Sequence, residues 1–227
     1  MSASSPKSAG NTRDRILQVA LDSFNRQGER NVSTNHIAAD LGISPGNLYY
    51  HFRNKADIVY QLFLRYESLV DGYLKVRNGN ALAIDDLVFY LESVVDGLWR
   101  FRFLHRELEF LLESDDRLRQ EYRAFTARCL VAIETILQGL IRGRVLQSLP
   151  DELRQALALN IWLVITNWMA FLKTAHESRE PVLPEVRQGL YQVLTLHLPY
   201  LDQAHRDEVL ALRDRYRPDM TWTMSGE

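Results

Sequence analysis

Residues 33–55 read STNHIAADLGISPGNLYYHFRNK, and this segment carries the signals for two short helices joined by a tight turn. Ser33 is a typical N-cap for the first helix, and Gly42 ends that helix. Ser44 is the expected N-cap of the second helix, where Pro45 occupies the first position and its missing N–H group costs nothing. Because Gly42 readily adopts a positive φ, a turn of only three residues can separate the helices.

This arrangement is typical of a helix-turn-helix unit, whose second helix enters the major groove of DNA. Ile43 lies in the turn, and we expect its apolar side chain to fill the gap between the helices. The leading residues of the second helix, which would meet the base edges, are Ser44, Pro45, Gly46 and Asn47. Gly46 lets the backbone approach DNA closely, and the Asn47 amide can both donate to and accept from an adenine edge. The sequence therefore predicts a DNA-reading helix that begins at Ser44.

The residues that follow are suited to the phosphate backbone. Tyr49, Tyr50 and His51 carry polar tips, and Lys55 at the start of the next helix is a natural phosphate contact. Each residue has a plainer alternative: packing for the tyrosines, and an ordinary solvated surface position for His51 and Lys55. Leu48 and Phe52 are assigned to the core.

The rest of the chain shows helical periodicity, and the expected fold class is all-α. An N-terminal three-helix helix-turn-helix domain is predicted over residues 12–75, after a disordered leader at residues 1–11. Residues 76–227 are expected to form a C-terminal helical ligand-binding and dimerisation domain. Its helices are predicted at residues 84–100, 104–113, 116–142, 151–176, 184–198 and 202–216. The role of the last helix and of the tail is left open.

Composition excludes several classes of protein. The chain has 227 residues, 46% of them hydrophobic and 25% charged, with a formal net charge of −2 and a single cysteine. One thiol excludes an intrachain disulfide and suits a reducing compartment. The apolar run at residues 156–172 is interrupted by polar residues, so we expect a buried or interface helix, a cytoplasmic protein and no membrane partner. No catalytic motif is found, and neither an enzyme nor a cofactor is expected.

The segment at residues 37–55 resembles the DNA-binding head of the TetR/AcrR family of transcriptional regulators. The similarity extends over about residues 12–69 and includes the ILxxAxxxF pattern as ILQVALDSF at residues 16–24. It implies a homodimer, a palindromic double-stranded DNA operator and, usually, repression relieved by a small molecule. It also implies that Tyr49, Tyr50, His51 and Lys55 touch the DNA backbone. Three residues of the first helix would flank the groove, namely Ser33, Thr34 and His36.

The C-terminal part of the chain resembles the family less closely, through LWRFRFLHREL at residues 98–108. The resemblance implies a dimer interface on the last two long helices, and the apolar candidates are Leu157, Ile161, Val164, Trp168, Val186, Leu190, Val193 and Leu194. The alternative is that these residues pack within one subunit. A small hydrophobic or amphipathic ligand would be lined by aromatic and polar residues of the body. The candidates, each of which could instead be plain core, are Trp99, Phe103, Phe110, Phe125, Arg128, Trp162, Asn167 and Phe171.

A metal site is not expected. His105, Glu109 and Glu113 share one face of a predicted helix, and we interpret that face as solvated or salt-bridged.

Overall fold

The computed structural model describes residues 9–75, 81–175 and 180–218. Over these residues the chain forms twelve α-helices and two 3₁₀ turns, with no strand, and the predicted all-α class is confirmed. The first seven helices are α1 (Ala9–Gln27), α2 (Thr34–Leu41), α3 (Pro45–His51), α4 (Lys55–Tyr73), α5 (Ile84–Arg100), α6 (Arg102–Arg106) and α7 (Leu108–Ser114). They are followed by α8 (Asp116–Arg142), α9 (Asp151–Ala175), α10 (Leu183–Arg187), α11 (Gly189–His197) and α12 (Arg206–Asp214).

Most predicted helices match the structure, and the differences are local. Helix α1 begins at Ala9, so the end of the predicted leader is helical, and the remainder of that leader lies outside the described residues. The helix expected at residues 104–113 is two helices, because the backbone at Glu107 leaves the helical region (φ −125, ψ 19). The helix expected at residues 184–198 is likewise divided, into α10 and α11 at Gln188.

The chain divides into two compact units. Among the described residues, the first unit contains those up to Gly72 together with Arg100–Thr126, and the second contains those within Tyr73–Trp99 and from Ala127 onward. This division differs from the expected boundary at residue 75, because α6, α7 and the start of α8 group with the helix-turn-helix. Residues 100–126 lie far from the helix-turn-helix in the sequence, so sequence analysis does not reveal that the two segments belong to one unit.

Contacts between α1 and the α6–α7 region explain why residues 100–126 belong to the first unit. The Asn25 amide donates to the Arg100 carbonyl at 2.8 Å and accepts from the Phe103 N–H at 3.1 Å. Arg106 donates to the carbonyls of Phe24 and Asn25, both at 3.0 Å. The bond from Arg106 satisfies the Asn25 carbonyl in the last turn of α1, whereas the Phe24 carbonyl also accepts the Gly28 N–H at 2.9 Å.

Aromatic rings fill the core of the first unit. Phe24, Phe63, Phe103 and Phe125 are at most 1% exposed, and their rings lie 5.2–5.7 Å from ring partners within the cluster. Burial of this much apolar surface is the main source of the unit's stability.

The core of the second unit is formed by α5, α8, α9 and α11. Leu82 enters this core before α5 and donates its N–H to the Gly139 carbonyl at 3.0 Å. A Cβ atom at Gly143 would lie 1.9 Å from the Leu82 carbonyl oxygen, so only glycine fits there. Helix α12, whose role the sequence left open, adds the buried Val209 and Leu212 to the same core.

Two helices, α8 and α9, are long and apolar enough to cross a membrane by length and composition alone. Core helices of soluble proteins meet the same criterion.

Candidate nucleic-acid interface

The first helix of the motif is fixed by a reciprocal capping box. The Ser33 hydroxyl accepts from the His36 N–H at 3.2 Å, and the His36 ring nitrogen Nδ1 faces the Ser33 N–H at 3.4 Å. This exchange satisfies donors at the helix N-terminus. Ser33 and His36, predicted to flank the groove, are both exposed. Their reciprocal hydrogen bonds also set where α2 begins.

The turn has the geometry that the sequence predicts. Gly42 adopts φ +70 and ψ 32, the left-handed region, and its N–H donates to the carbonyls of Ala38 and Ala39. The Ile43 N–H bonds to the Ala38 carbonyl at 3.0 Å, which completes the C-terminal cap of α2. With no atom within 4 Å of a Cβ built at Gly42, the requirement for glycine is conformational and not steric.

Helix α3 is anchored on one face and open on the other. Leu48 and Phe52 are 0% and 3% exposed, as expected for core residues. The opposite face presents Tyr50, which is 81% exposed, and Tyr49, which is 49% exposed. Such exposure of large aromatic side chains marks a surface that is available for contact.

The leading end of α3 is also exposed. Ser44 accepts the Asn47 N–H at 3.2 Å, so the Ser44 hydroxyl caps the helix. Pro45, Gly46 and the Asn47 amide are exposed, and Gly46 has only the Ser44 hydroxyl near the position of a Cβ. The structure therefore brings the four predicted base-reading residues to one accessible helix end.

A hydrogen bond joins the two helices of the motif. The Thr34 hydroxyl lies 2.9 Å from the Tyr49 hydroxyl. Tyr49 thus ties α3 to the start of α2, in addition to any contact it makes outside the protein. His51 is half-buried at the end of α3, with its ring against Tyr50 at 5.1 Å.

Lys55 has a partner that sequence reasoning missed. Its ammonium group lies 3.0 Å from Glu29 Oε1 and donates to the Glu29 carbonyl at 2.9 Å. Glu29 is only 5% exposed, so this is a largely buried ion pair between the end of α1 and the start of α4. No local signal predicts it, because the two residues are 26 positions apart in the sequence.

The predicted pocket residues do not line one cavity. Phe103 and Phe125 are fully buried in the first unit's aromatic core, and Phe110 lines a separate cavity in that unit. The other candidates lie in the second unit. Asn167 and Phe171 line an open surface groove there, whereas Trp99 and Trp162 are half-buried and Arg128 is exposed.

The predicted dimer residues are mostly buried inside the subunit, which corrects that expectation. Where α9 packs against α10 and α11, six of them are at most 6% exposed and have no surface left for a partner: Leu157, Ile161, Val186, Leu190, Val193 and Leu194. Trp168 donates its indole N–H to the Glu185 carbonyl at 3.0 Å and contacts Gly189. Val164 is half-buried beside the groove. Periodicity identified the apolar face correctly but not the partner that covers it.

His105 also differs from its expected solvated position. It is 6% exposed, its Nε2 lies 3.0 Å from the Tyr66 hydroxyl, and Nδ1 has no hydrogen-bond partner in the described part of the chain. Burial lowers the pKa of His105 from 6.5 to about 4, because the interior disfavours the charged imidazolium. His105 is therefore a neutral core residue at physiological pH.

Comparison with known families identifies the chain. The model described as "Bacterial regulatory proteins, tetR family" matches residues 16–62, which include the capping box, the turn and α3. The TetR model described as "Bacterial transcriptional repressor" matches residues 65–209, more than half of the chain. The chain belongs to the TetR family.

Solved structures of transcriptional regulators resemble the chain over most of its length. A TetR-family transcriptional regulator from Marinobacter aquaeolei VT8 is 59% identical, with a TM-score of 0.86 over 91% of this chain and 99% of that one. A transcriptional regulator from Saccharomonospora viridis, solved in complex with choline, is 25% identical, with a TM-score of 0.63 over 82% of this chain and 97% of that one.

A curated relative agrees on the class of protein. An HTH-type transcriptional regulator of Staphylococcus aureus strain MRSA252 is 42% identical over 120 residues, which are 52% of this chain and 63% of that regulator. The match thus spans less than two thirds of the relative's length. Together with the exposed α3, these similarities identify a TetR-family helix-turn-helix transcriptional regulator.

Proposed function

We propose that this TetR-family regulator represses transcription by occupying a palindromic operator as a homodimer, and that a small amphipathic ligand releases it. The observation that carries the DNA-binding part is the asymmetry of α3. Its inner face is held by Leu48 and Phe52, while its leading end and two tyrosines are open to solvent. A rigid helix with one exposed end is what insertion into a major groove requires.

The proposed DNA contacts are of two chemical kinds, contacts to base edges and contacts to phosphates. Asn47 lies at the leading end and reads a base edge, with an amide suited to adenine. Tyr49 and Tyr50 donate hydroxyl hydrogens to phosphate oxygens, which position the protein without reading sequence. Two heads then meet half-sites separated by about 34–36 Å, or a multiple of that distance.

Selection of bound duplexes from a random pool tests this proposal directly, and we expect a palindromic consensus. Asn47→Ala should change base preference at one position of each half-site, whereas Tyr50→Ala should weaken binding to all sequences alike. Gln138→Ala is a matched control, because it removes an exposed amide from α8 in the second unit. A pool without enrichment, or an Asn47→Ala consensus identical to that of the wild type, would contradict the proposal.

For the dimer we propose the outer face of α9 in place of the buried residues. Leu159, Leu163 and Phe171 follow one another at helical spacing and are 46%, 48% and 36% exposed. Asn167 lies in the same stripe, and its amide donates to the Leu163 carbonyl of its own helix at 3.0 Å. An exposed apolar stripe on a long helix is suited to a second copy of the same helix.

Leu163→Glu should therefore convert the dimer to a monomer in sedimentation-velocity measurements. Val131→Glu is the control, since Val131 is a 64% exposed aliphatic residue on a different helix of the same unit. Dimers that persist in Leu163→Glu, or that are lost equally in both variants, would exclude this face.

The proposal also includes release of the regulator from DNA by a small ligand, and a location in the cytoplasm. The regulator from Saccharomonospora viridis was solved with choline, a small cationic ligand, which supports a small amphipathic effector here. Such a ligand can shift the DNA-bound population only by its different affinities for the two states. Operator affinity measured with and without candidate compounds tests this part, and no change across a broad panel would refute it.

A further inference from the structure

A cavity of about 410 Å³ lies inside the first compact unit, the unit that contains the helix-turn-helix. Its walls come from the segment after α1, the start of α4, helix α7 and the start of α8. Val59 and Leu111 supply apolar walls, and Phe110 supplies an aromatic face. This volume is in the range of small-molecule sites in proteins.

Glu29 lines this cavity, and one oxygen of its carboxylate is buried without a hydrogen-bond partner. Glu29 is 5% exposed, and its Oε1 forms the ion pair with Lys55 described above. Its Oε2 accepts no hydrogen bond from any described residue. A buried anionic oxygen without a donor is costly, and it favours a cation close by.

The next residue, Arg30, also lines the cavity and brings a cation to it. The Arg30 guanidinium lies 3.9 Å from the centroid of the Phe110 ring, which is a cation–π contact. The Arg30 side chain has no carboxylate partner within the described ranges, so the ring is its main attachment. Arg30 belongs to an exposed segment and can leave the ring at low cost.

We propose that this cavity binds a protonated amine attached to an apolar ring or short chain. The ammonium group takes the place of the Arg30 guanidinium over Phe110, where the nearby Glu29 carboxylate attracts it, while the apolar part packs against Val59 and Leu111. Arg30 therefore competes with the ligand for the face of the Phe110 ring.

The regulatory consequence rests on the proposed function. Arg30 lies three residues before Ser33, the N-cap of α2, and the Val32 N–H bonds to the Glu29 carbonyl at 3.2 Å. Displacing Arg30 therefore disturbs the segment that sets where the first helix of the motif begins. We expect the amine to lower operator affinity.

Calorimetric titration of the full-length protein at pH 7 tests the site with three probes of matched size: 2-phenylethylammonium, 2-phenylethanol and phenylacetate. We expect the ammonium to bind about tenfold more tightly than the alcohol, and phenylacetate not to bind measurably. Preferential binding of phenylacetate would overturn the proposal in favour of an anion site. Binding of none of the three would overturn it in favour of a cavity filled by water alone.

Variants link the binding to these residues. Arg30→Gln should tighten ammonium binding about threefold, a gain that misfolding cannot produce, and Phe110→Leu should weaken it about fivefold. Arg213→Gln is the matched control and should leave ammonium affinity unchanged, because it removes a guanidinium from the Tyr191 ring in the other unit. Unchanged affinity in both Arg30→Gln and Phe110→Leu would exclude this cavity.

Glu29→Gln tests the carboxylate through a ratio that does not depend on overall stability. The preference for ammonium over alcohol should disappear in this variant, while the alcohol still binds. A retained preference would contradict the role of Glu29. Ammonium binding without any effect on an operator would leave the site intact and overturn only its regulatory consequence, whereas failure to bind any duplex would overturn the proposed function separately.

Discussion

Replacing Lys55 with methionine separates two roles that the residue could have. The sequence resemblance assigns Lys55 to the DNA backbone, whereas the structure pairs its ammonium group with Glu29 at 3.0 Å and with the Glu29 carbonyl at 2.9 Å. If the pair is structural, Lys55→Met should destabilise the first unit before DNA is involved.

The size of the effect follows from the geometry. Two unit charges at 3.0 Å attract each other by about 5 kcal/mol at an effective dielectric constant of about 20. The Lys55 side chain is 29% exposed, so water screens part of this attraction, and the Glu29 side chain is 7% exposed. Because Lys55→Met leaves a buried carboxylate unpaired, we expect a loss of roughly 2–4 kcal/mol. That loss corresponds to a fall in melting temperature of roughly 4–16 °C.

Thermal unfolding followed by circular dichroism measures this loss. Lys173→Met is the matched control, because its ammonium lies 3.8 Å from Glu180 with both side chains more than half exposed, and such pairs contribute about 0–1 kcal/mol. Adding Glu29→Gln to Lys55→Met should recover much of the stability, since the unpaired charge is gone. A melting temperature within about 1 °C of wild type would refute the structural role. A fall of about one unit in the salt dependence of operator binding would then assign Lys55 to a phosphate.

Further predictions concern pH and backbone conformation. The pKa of His105 falls to about 4 in the folded protein, so the unfolded chain binds the proton more tightly. The contribution of His105 to stability should therefore be complete above about pH 6.5. The free energy of unfolding should fall by on the order of 3 kcal/mol as the pH drops to about 4. His105→Gln should flatten that part of the profile in urea unfolding at stepped pH, and an unchanged slope would contradict the assignment. Gly143→Ala should lower the free energy of unfolding by about 2–4 kcal/mol, because the new Cβ meets the Leu82 carbonyl. Gly72→Ala, with open space around it, should instead stabilise α4 by about 0.5–1 kcal/mol. Equal unfolding midpoints for the two variants would be inconsistent with the close approach of Leu82 to Gly143. Arg144 has a positive φ of 58, so Arg144→Gly should raise stability by about 0.5–1 kcal/mol in the same assay, and a decrease would show that its side chain matters more than its backbone.

The helix-turn-helix could be predicted from sequence because its signals act over three or four residues. Ser33 caps α2 by accepting the His36 N–H, Gly42 supplies the left-handed turn, and Ser44 caps α3 by accepting the Asn47 N–H. Each of these contacts joins residues that are close together in the sequence. The spacing of Leu48 and Phe52 likewise identifies the buried side of α3. Such short-range interactions leave their full pattern in the sequence.

The apolar faces of the long helices are visible as periodicity, but periodicity does not say what covers a face. Six of the eight apolar candidates for the dimer interface cover one another within the chain, where α9 packs against α10 and α11, whereas Val164 and Trp168 are half-buried beside the exposed stripe of α9. A hydrophobic pattern records only that burial occurs.

The amino-acid sequence by itself determined the all-α class, the positions of the caps and the turn, and the family, because all three depend on neighbours in the chain. Tertiary structure alone decided that residues 100–126 join the DNA-binding unit, that Lys55 pairs with Glu29, and that a cavity opens beside Phe110. These features arise from side chains that are 26 to 82 positions apart, and their contacts depend on how whole helices pack.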